Sequence, residues 1–227
     1  MKSLLTVFCV TAIGLFVSAG ASAGMLEVEP YLGYQFLGSV GTSAMYSSNT
    51  NSAFQHLGVG LRATVKFLDM FYVGPDFSWY QGLSATQPDL PTTAGVKVTN
   101  GDQVKLGLVA GVNLPMSFRL WVGYNFLDYL NSTFNGNAVV PGLGQLPMSG
   151  NRSLSGSSFK IGAGYSIFSY LNLNVEIFVT SFGATTNQTI TIPALAQQGM
   201  PTSVAANMPA QSSNQLFITL SAPLSLM

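Results

Sequence analysis

From His56 to Tyr80 the chain alternates between two surfaces. Leu57, Val59, Leu61, Ala63, Val65 and Phe67 fall on one; His56, Gly58, Gly60, Arg62, Thr64 and Lys66 fall on the other. After a reversal near Leu68-Asp69-Met70 the pattern resumes, with Phe71, Val73, Pro75, Phe77 and Trp79 opposite Tyr72, Gly74, Asp76, Ser78 and Tyr80. A period of two is that of a β-strand, and two such runs around a short turn predict an antiparallel hairpin.

The same alternation predicts six more strands. Strand 1, about Leu26 to Gly38, sets Val28, Pro30, Leu32, Tyr34 and Phe36 against Glu27, Glu29, Tyr31, Gly33 and Gln35. Strand 4, about Asp102 to Leu114, sets Val104, Leu106, Leu108, Ala110 and Val112 against Gln103, Lys105, Gly107, Gly111 and Asn113. Strand 5 sets Phe118, Leu120, Val122, Tyr124 and Phe126 against Arg119, Trp121, Gly123 and Asn125. Strand 6 runs through Phe159–Ile167, strand 7 through Leu171–Val179 and strand 8 through Gln215–Ala222. Tight turns join strands 2 and 3, 4 and 5, and 6 and 7. Long stretches rich in Ser, Asn, Gly and Thr join the others, and an even strand count with loops at one end and turns at the other is the pattern of outer-membrane barrels. Both termini then fall on the periplasmic side.

Composition sharpens this picture. Charged residues make up 7% of the chain, against about 25% in an ordinary soluble domain. After the first residues no segment has the roughly 18 uninterrupted apolar residues of a membrane helix. A backbone placed in lipid without helices satisfies its own hydrogen bonds by closing a sheet. The 11 residues from Leu57 to Phe67, tilted about 40°, rise on the order of 28 Å and cover an apolar band about 25 Å tall. Residues 1–23 read as a cleavable signal peptide: Lys2, an apolar run from Leu4 to Val17, and Ala21-Ser22-Ala23. Export through this segment leaves a barrel domain over residues 24–227. Cys9 lies within the removed segment, which excludes thiol chemistry and disulfides in the mature chain. Removing Lys2 leaves seven basic and eight acidic residues, so there is no basic footprint for nucleic acid.

These features resemble the small eight-stranded outer-membrane β-barrels of Gram-negative bacteria exemplified by OmpX and the membrane domain of OmpA. The resemblance rests on the alternation and the loop lengths and covers essentially the whole mature chain. It implies an all-β, eight-stranded antiparallel up-and-down transmembrane barrel in the bacterial outer membrane. Lipid and lipopolysaccharide are then its surroundings, and the barrel-assembly machinery its partner during biogenesis. One departure is the end Leu224-Ser225-Leu226-Met227, where such barrels usually carry a terminal aromatic residue. Pro75 within strand 3 removes a ladder donor, which predicts a bulge or a gap in pairing.

If the greasy face meets lipid, the lumen receives Glu27, Glu29, Arg62, Lys66, Asp76, Lys105, Arg119, Lys160 and Glu176, nine of the fifteen mature-chain charges. Buried charges persist when paired, so an internal ladder of ion pairs is expected. Inward glycines leave room for Tyr31, Tyr72, Tyr80, Trp121, Phe178 and Phe217, which implies a packed plug. The competing reading is a narrow proton or ion path, or a conduit for apolar solutes. His56, the one histidine, lies at the outer start of strand 2 and is the candidate for rim chemistry, with Asp76 and Tyr80 as possible neighbours. No nucleophile, phosphate-loop or metal-spaced motif accompanies it, so the expectation is a non-enzymatic protein without cofactor or metal. A soluble secreted barrel is the structural alternative. The loop hexads Val140–Gln145 and Ile192–Gln197 match in pattern and are expected to form apolar tips that pack together or touch a partner; Gln87–Pro91 reads as a Pro-rich loop.

Overall fold

The computed structural model describes residues 26–41, 52–67, 70–86, 93–140, 142–199, 201–208 and 210–226. The signal peptide expected over residues 1–23 and the loop expected at Gln87–Pro91 lie outside the described residues.

The strands are β1 Leu26–Gly41, β2 Ser52–Phe67, β3 Phe71–Thr86, β4 Thr93–Asn113, β5 Phe118–Val140, β6 Gly144–Phe168, β7 Leu171–Phe182, β8 Thr185–Thr191, β9 Ser203–Met208, β10 Gln211–Ser221 and β11 Leu224–Leu226. They form one antiparallel sheet in the order β5-β4-β3-β2-β1-β10-β7-β6, which closes on itself through β5–β6. Chain neighbours are sheet neighbours around this ring. The end of the chain is stitched to its start by β11 on Leu26–Val28, by the Ala222 N–H donating to the Pro30 carbonyl (3.0 Å), and by β10 on β1. Closure leaves no open edge within the ring, the requirement for strands in lipid.

The wall follows the alternation. Leu61, Val122, Ile161 and Ile177 are exposed on the outside, while their sequence neighbours Arg62, Trp121, Lys160, Glu176 and Phe178 are buried inside. This inversion, apolar out and charged in, is the pattern of membrane-spanning barrels. Pro75 pairs with Leu108 on β4, whereas on the β2 side the ladder passes from Arg62–Asp76 to Val65–Val73 without a change of register. The proline thus produces a gap in pairing and no bulge. The turn end carries Leu114–Ser117 and Ser169–Tyr170; Met116 (φ 65°) and Ser117 (φ 66°) both adopt the left-handed conformation that type I′ turns use.

At the loop end the structure departs from the expected strand limits. β5 and β6 have 23 and 25 residues, about twice the number needed to cross a bilayer at this tilt, and they continue as a hairpin that turns at residues 140–144. The stretch expected to be a long loop after strand 7 holds β8, a 3₁₀ helix over Pro193–Gln198, and β9; β8 pairs with Ser149–Arg152 of β6. β5, β6, β8 and β9 form a sheet that stands above the wall. Phe134 and Met148 are buried there with Ala138, Ile190 and Ile192 packed on them. Of the two hexads expected to form apolar tips, Ile192 at the head of the second packs on this cluster, while Gly142 and Leu143 of the first are exposed.

Candidate functional site

The lumen gathers the charges predicted to face it, because each strand delivers one inward side chain per two residues. Three levels stack along the axis. Nearest the turn end, Glu27 pairs with Lys66, which is partly exposed. Above it Glu29 is a hub: it pairs with Arg119 (Nη1, 3.0 Å) and Arg62 (3.2 Å), and accepts from Asn172 (3.4 Å) and Ser221. The second nitrogen fork of Arg62 reaches Glu176 at 2.7 Å. The Arg62 and Arg119 guanidinium groups both lie over the Trp121 indole, with cation-to-ring distances of 4.8 and 5.0 Å. Such contacts strengthen once water is excluded.

In the middle, Lys160 pairs with Asp76, which also accepts from the Tyr31 hydroxyl at 3.0 Å. Above this the lumen is filled by Tyr80, Phe178 and Phe217, whose ring centroids lie 4.6 and 5.1 Å apart about Phe217. Close packing of this kind needs small partners. Gly162 faces Trp121 and Gly60 faces Tyr31 so closely that an added Cβ would fall within either ring. The third level is Lys105 with Asp128 at 2.8 Å, Gln103 donating to Asp128 at 2.6 Å, Thr180 at 3.0 Å, and Lys105 also reaching Gln215 at 2.8 Å. Lys105 and Asp128 are 1% and 0% exposed. Each charge at this level meets an opposite charge, and the remaining lone pairs are met by amides and a hydroxyl. That is the condition under which buried ions are tolerated.

Asp128 was hidden from the alternation. Asn125 is buried, Phe126 and Leu127 both lie toward the outside, and Asp128 is buried again. A β-bulge there shifts the register of β5 against both β4 and β6 and inverts the phase of everything beyond it. Arg152 of β6, buried in the upper wall, was also missed, because the strand extends past the residues whose alternation marks it.

His56 is inward as expected but is buried rather than at an open rim, and its Nδ1 is 2.6 Å from Gln35 Oε1. The neighbours suggested for it are placed elsewhere. His56 pairs across the ladder with Gly82, Tyr80 with Gly58, and Asp76 with Arg62. Tyr80 belongs to the aromatic plug and Asp76 to the Lys160 pair. A register shift between Gln55 and His56 sets this arrangement. At the turn end a cavity of about 250 Å³ is lined by Glu27, Lys66, Asn113, Arg119, Ser166 and Asn172.

A closed antiparallel ring with an apolar outer wall and an ionic, aromatic-filled interior defines a membrane-spanning β-barrel. The model of the outer membrane protein beta-barrel domain matches residues 9–195, and the chain belongs to that family. Similar solved structures include Ail, the attachment invasion locus protein of Yersinia pestis (10% identity, 87% of this chain and 98% of that one, TM-score 0.48). Others are a major outer membrane protein from Thermus thermophilus (11%, 88% and 99%, 0.47) and Neisserial surface protein A, NspA (8%, 87% and 96%, 0.42). None of the curated protein sequences matches this chain.

Proposed function

We propose that this protein is a non-enzymatic outer-membrane barrel whose lumen is closed and whose loop end works outside the cell, in surface contact or envelope integrity. The observation that carries the reading is the interior itself. Glu29, Arg62, Asp76, Arg119, Lys160 and Glu176 are consumed in mutual pairs, and the Tyr80–Phe178–Phe217 plug fills the bore above them. An interior that an eight-stranded ring only just encloses leaves no continuous water path. The burial of His56 against Gln35 supports a structural role for it rather than acid–base chemistry. In this reading residues 1–23 direct export and are removed, the assembly machinery inserts the barrel, and lipid with lipopolysaccharide surrounds the wall. The turns face the periplasm and the tall β5–β6 hairpin faces outward.

The cavity at the turn end supports a second reading, a vestibule leading into a narrow channel. Planar-bilayer recording on the refolded protein separates the two. Electrical silence is expected, and steady openings of fixed size would replace the closed plug with the channel.

A further inference from the structure

The mouth of the barrel at the turn end has the parts of a binding site. Hydrogen bonds between turns hold its rim: the Ser166 N–H donates to the Ser117 carbonyl at 2.9 Å, and the Asn113 N–H to the Met70 carbonyl at 2.7 Å. β11 sets Ser225 across the ladder from Glu27 of β1. The cavity of about 250 Å³ inside this rim takes hydroxyls and an amide from Asn113, Ser117, Ser166, Ser169 and Ser225. Its charged lining residues are Lys66, Arg119 and Glu27, and Asn172 completes its polar wall.

Two of these groups have capacity to spare. Asn172 is 2% exposed; its Nδ2 donates to Glu29 at 3.4 Å, and its Oδ1 has no hydrogen-bond partner among the described residues. A buried acceptor left in that state favours any donor that reaches it. The Lys66 ammonium, on a side chain that is 22% exposed, donates to Glu27. An ammonium carries three donors, so a second acceptor is within its means. Arg119 is committed: each of its three nitrogens already donates to Glu29, Asn174 or Ser221.

We infer that this cavity binds a small hydroxylated carboxylate of the sugar-acid class. Lys66 selects the carboxylate, which accepts from an ammonium in a charge-assisted bond. Two of the three charged lining residues are cations, so a ligand with an ammonium of its own would be set against them. The remaining groups select hydroxyls, which donate to Asn172 and both donate to and accept from the four serines and Asn113. A phosphate favours a bidentate arginine fork, and the fork of Arg119 is taken by Glu29. The volume lies below the roughly 300–1,000 Å³ of drug-sized sites, which favours a single sugar residue. Neither a continuous channel nor a particular orientation in the membrane is needed for this site to bind.

The test is calorimetric titration of the refolded barrel in uncharged detergent micelles at low salt, with galacturonate, galactose, propionate and serine as ligands. Galactose lacks the carboxylate, propionate lacks the hydroxyls and serine adds an ammonium. Galacturonate is expected to bind at least about ten-fold more tightly than each, the order of one charge-assisted hydrogen bond. Lys66→Gln is expected to abolish the preference over galactose. Ser169→Asp, at an exposed turn position, is expected to weaken galacturonate and spare galactose, an effect that added salt screens. It keeps the test decisive if Lys66→Gln lacks the heat-modifiable gel mobility of a folded barrel. Galacturonate binding no tighter than any of the other three ligands would overturn the inference. So would a folded Lys66→Gln variant that keeps the preference, or a Ser169→Asp variant that binds galacturonate as the parent does.

Discussion

Replacing Asp128 with alanine is the sharpest probe of the interior, because the two possible orientations of this side chain predict different results. In the structure the carboxylate is fully buried and takes the Lys105 ammonium at 2.8 Å, with Gln103 and Thr180 at 2.6 and 3.0 Å. Asp128→Ala leaves a cation buried without its counter-ion, a change that costs about 3–5 kcal/mol. Were Asp128 in phase with Phe126 and turned to lipid, the same substitution would remove a charge from the edge of the apolar band. It would then be neutral or slightly stabilising, within about 1 kcal/mol. The assay is a urea titration of the barrel refolded into micelles, with folded fraction read from gel mobility of unboiled samples. The double variant Lys105→Met/Asp128→Leu supplies the control, since exchanging both ions for apolar groups of similar size is commonly neutral or stabilising. It should regain most of the loss, giving a coupling energy well above the few tenths expected of independent sites. A single-variant loss below about 1 kcal/mol, or a double variant as unstable as the sum of its parts, would refute the buried pair.

Two further substitutions test the wall and the packing. Leu61→Arg, on the outward face halfway along the apolar run of β2, is expected to cost about 2–4 kcal/mol in a bilayer; an unchanged titration midpoint in lipid vesicles would remove this site from the lipid. Gly162→Ala places a methyl group where the Trp121 indole sits, and overpacking of that kind costs roughly 1–3 kcal/mol. Near-ultraviolet circular dichroism should report the displaced tryptophan, and a spectrum and stability equal to the parent would contradict the contact.

Within the membrane most of the architecture was readable as residues two apart, because lipid outside and charge inside impose the strongest contrast of side-chain types. Arg62, Lys66 and Asp76 on the β2–β3 hairpin, and Lys160 and Glu176 on the β6–β7 hairpin, announce their side by their neighbours. The phase slip at Phe126-Leu127 hides Asp128 from that alternation, although Leu130 and Phe134 repeat the new phase. Above the lipid the contrast vanishes. Ser149, Asn151, Ser153 and Ser155 meet water on one face, and Gly150 and Arg152 help form the other, so polarity no longer separates the two sides. β8 and β9 went unseen for the same reason, since their strand character comes from pairing onto β6 and not from an amphipathic pattern of their own. The alternation puts His56 among the inward residues, where it is buried, but its neighbours depend on a register that a bulge sets.

The Glu29 hub has a bearing on how the molecule is made. Its partners come from β2, β5, β7 and β10, and its bond with Ser221 spans 192 positions of the chain. Until the last strand arrives and the ring shuts, Arg119 on β5 cannot reach Glu29 on β1, nor Arg62 on β2 reach Glu176 on β7, and an unshut sheet would carry these charges incompletely paired into hydrocarbon at several kcal/mol apiece. Contacts this distant in sequence also form slowly. Insertion and closure are therefore thermodynamically one event. A chain truncated before β10 should be unable to rest in the bilayer as a partial barrel, and the ionic core acts as a proofreader that admits only finished rings.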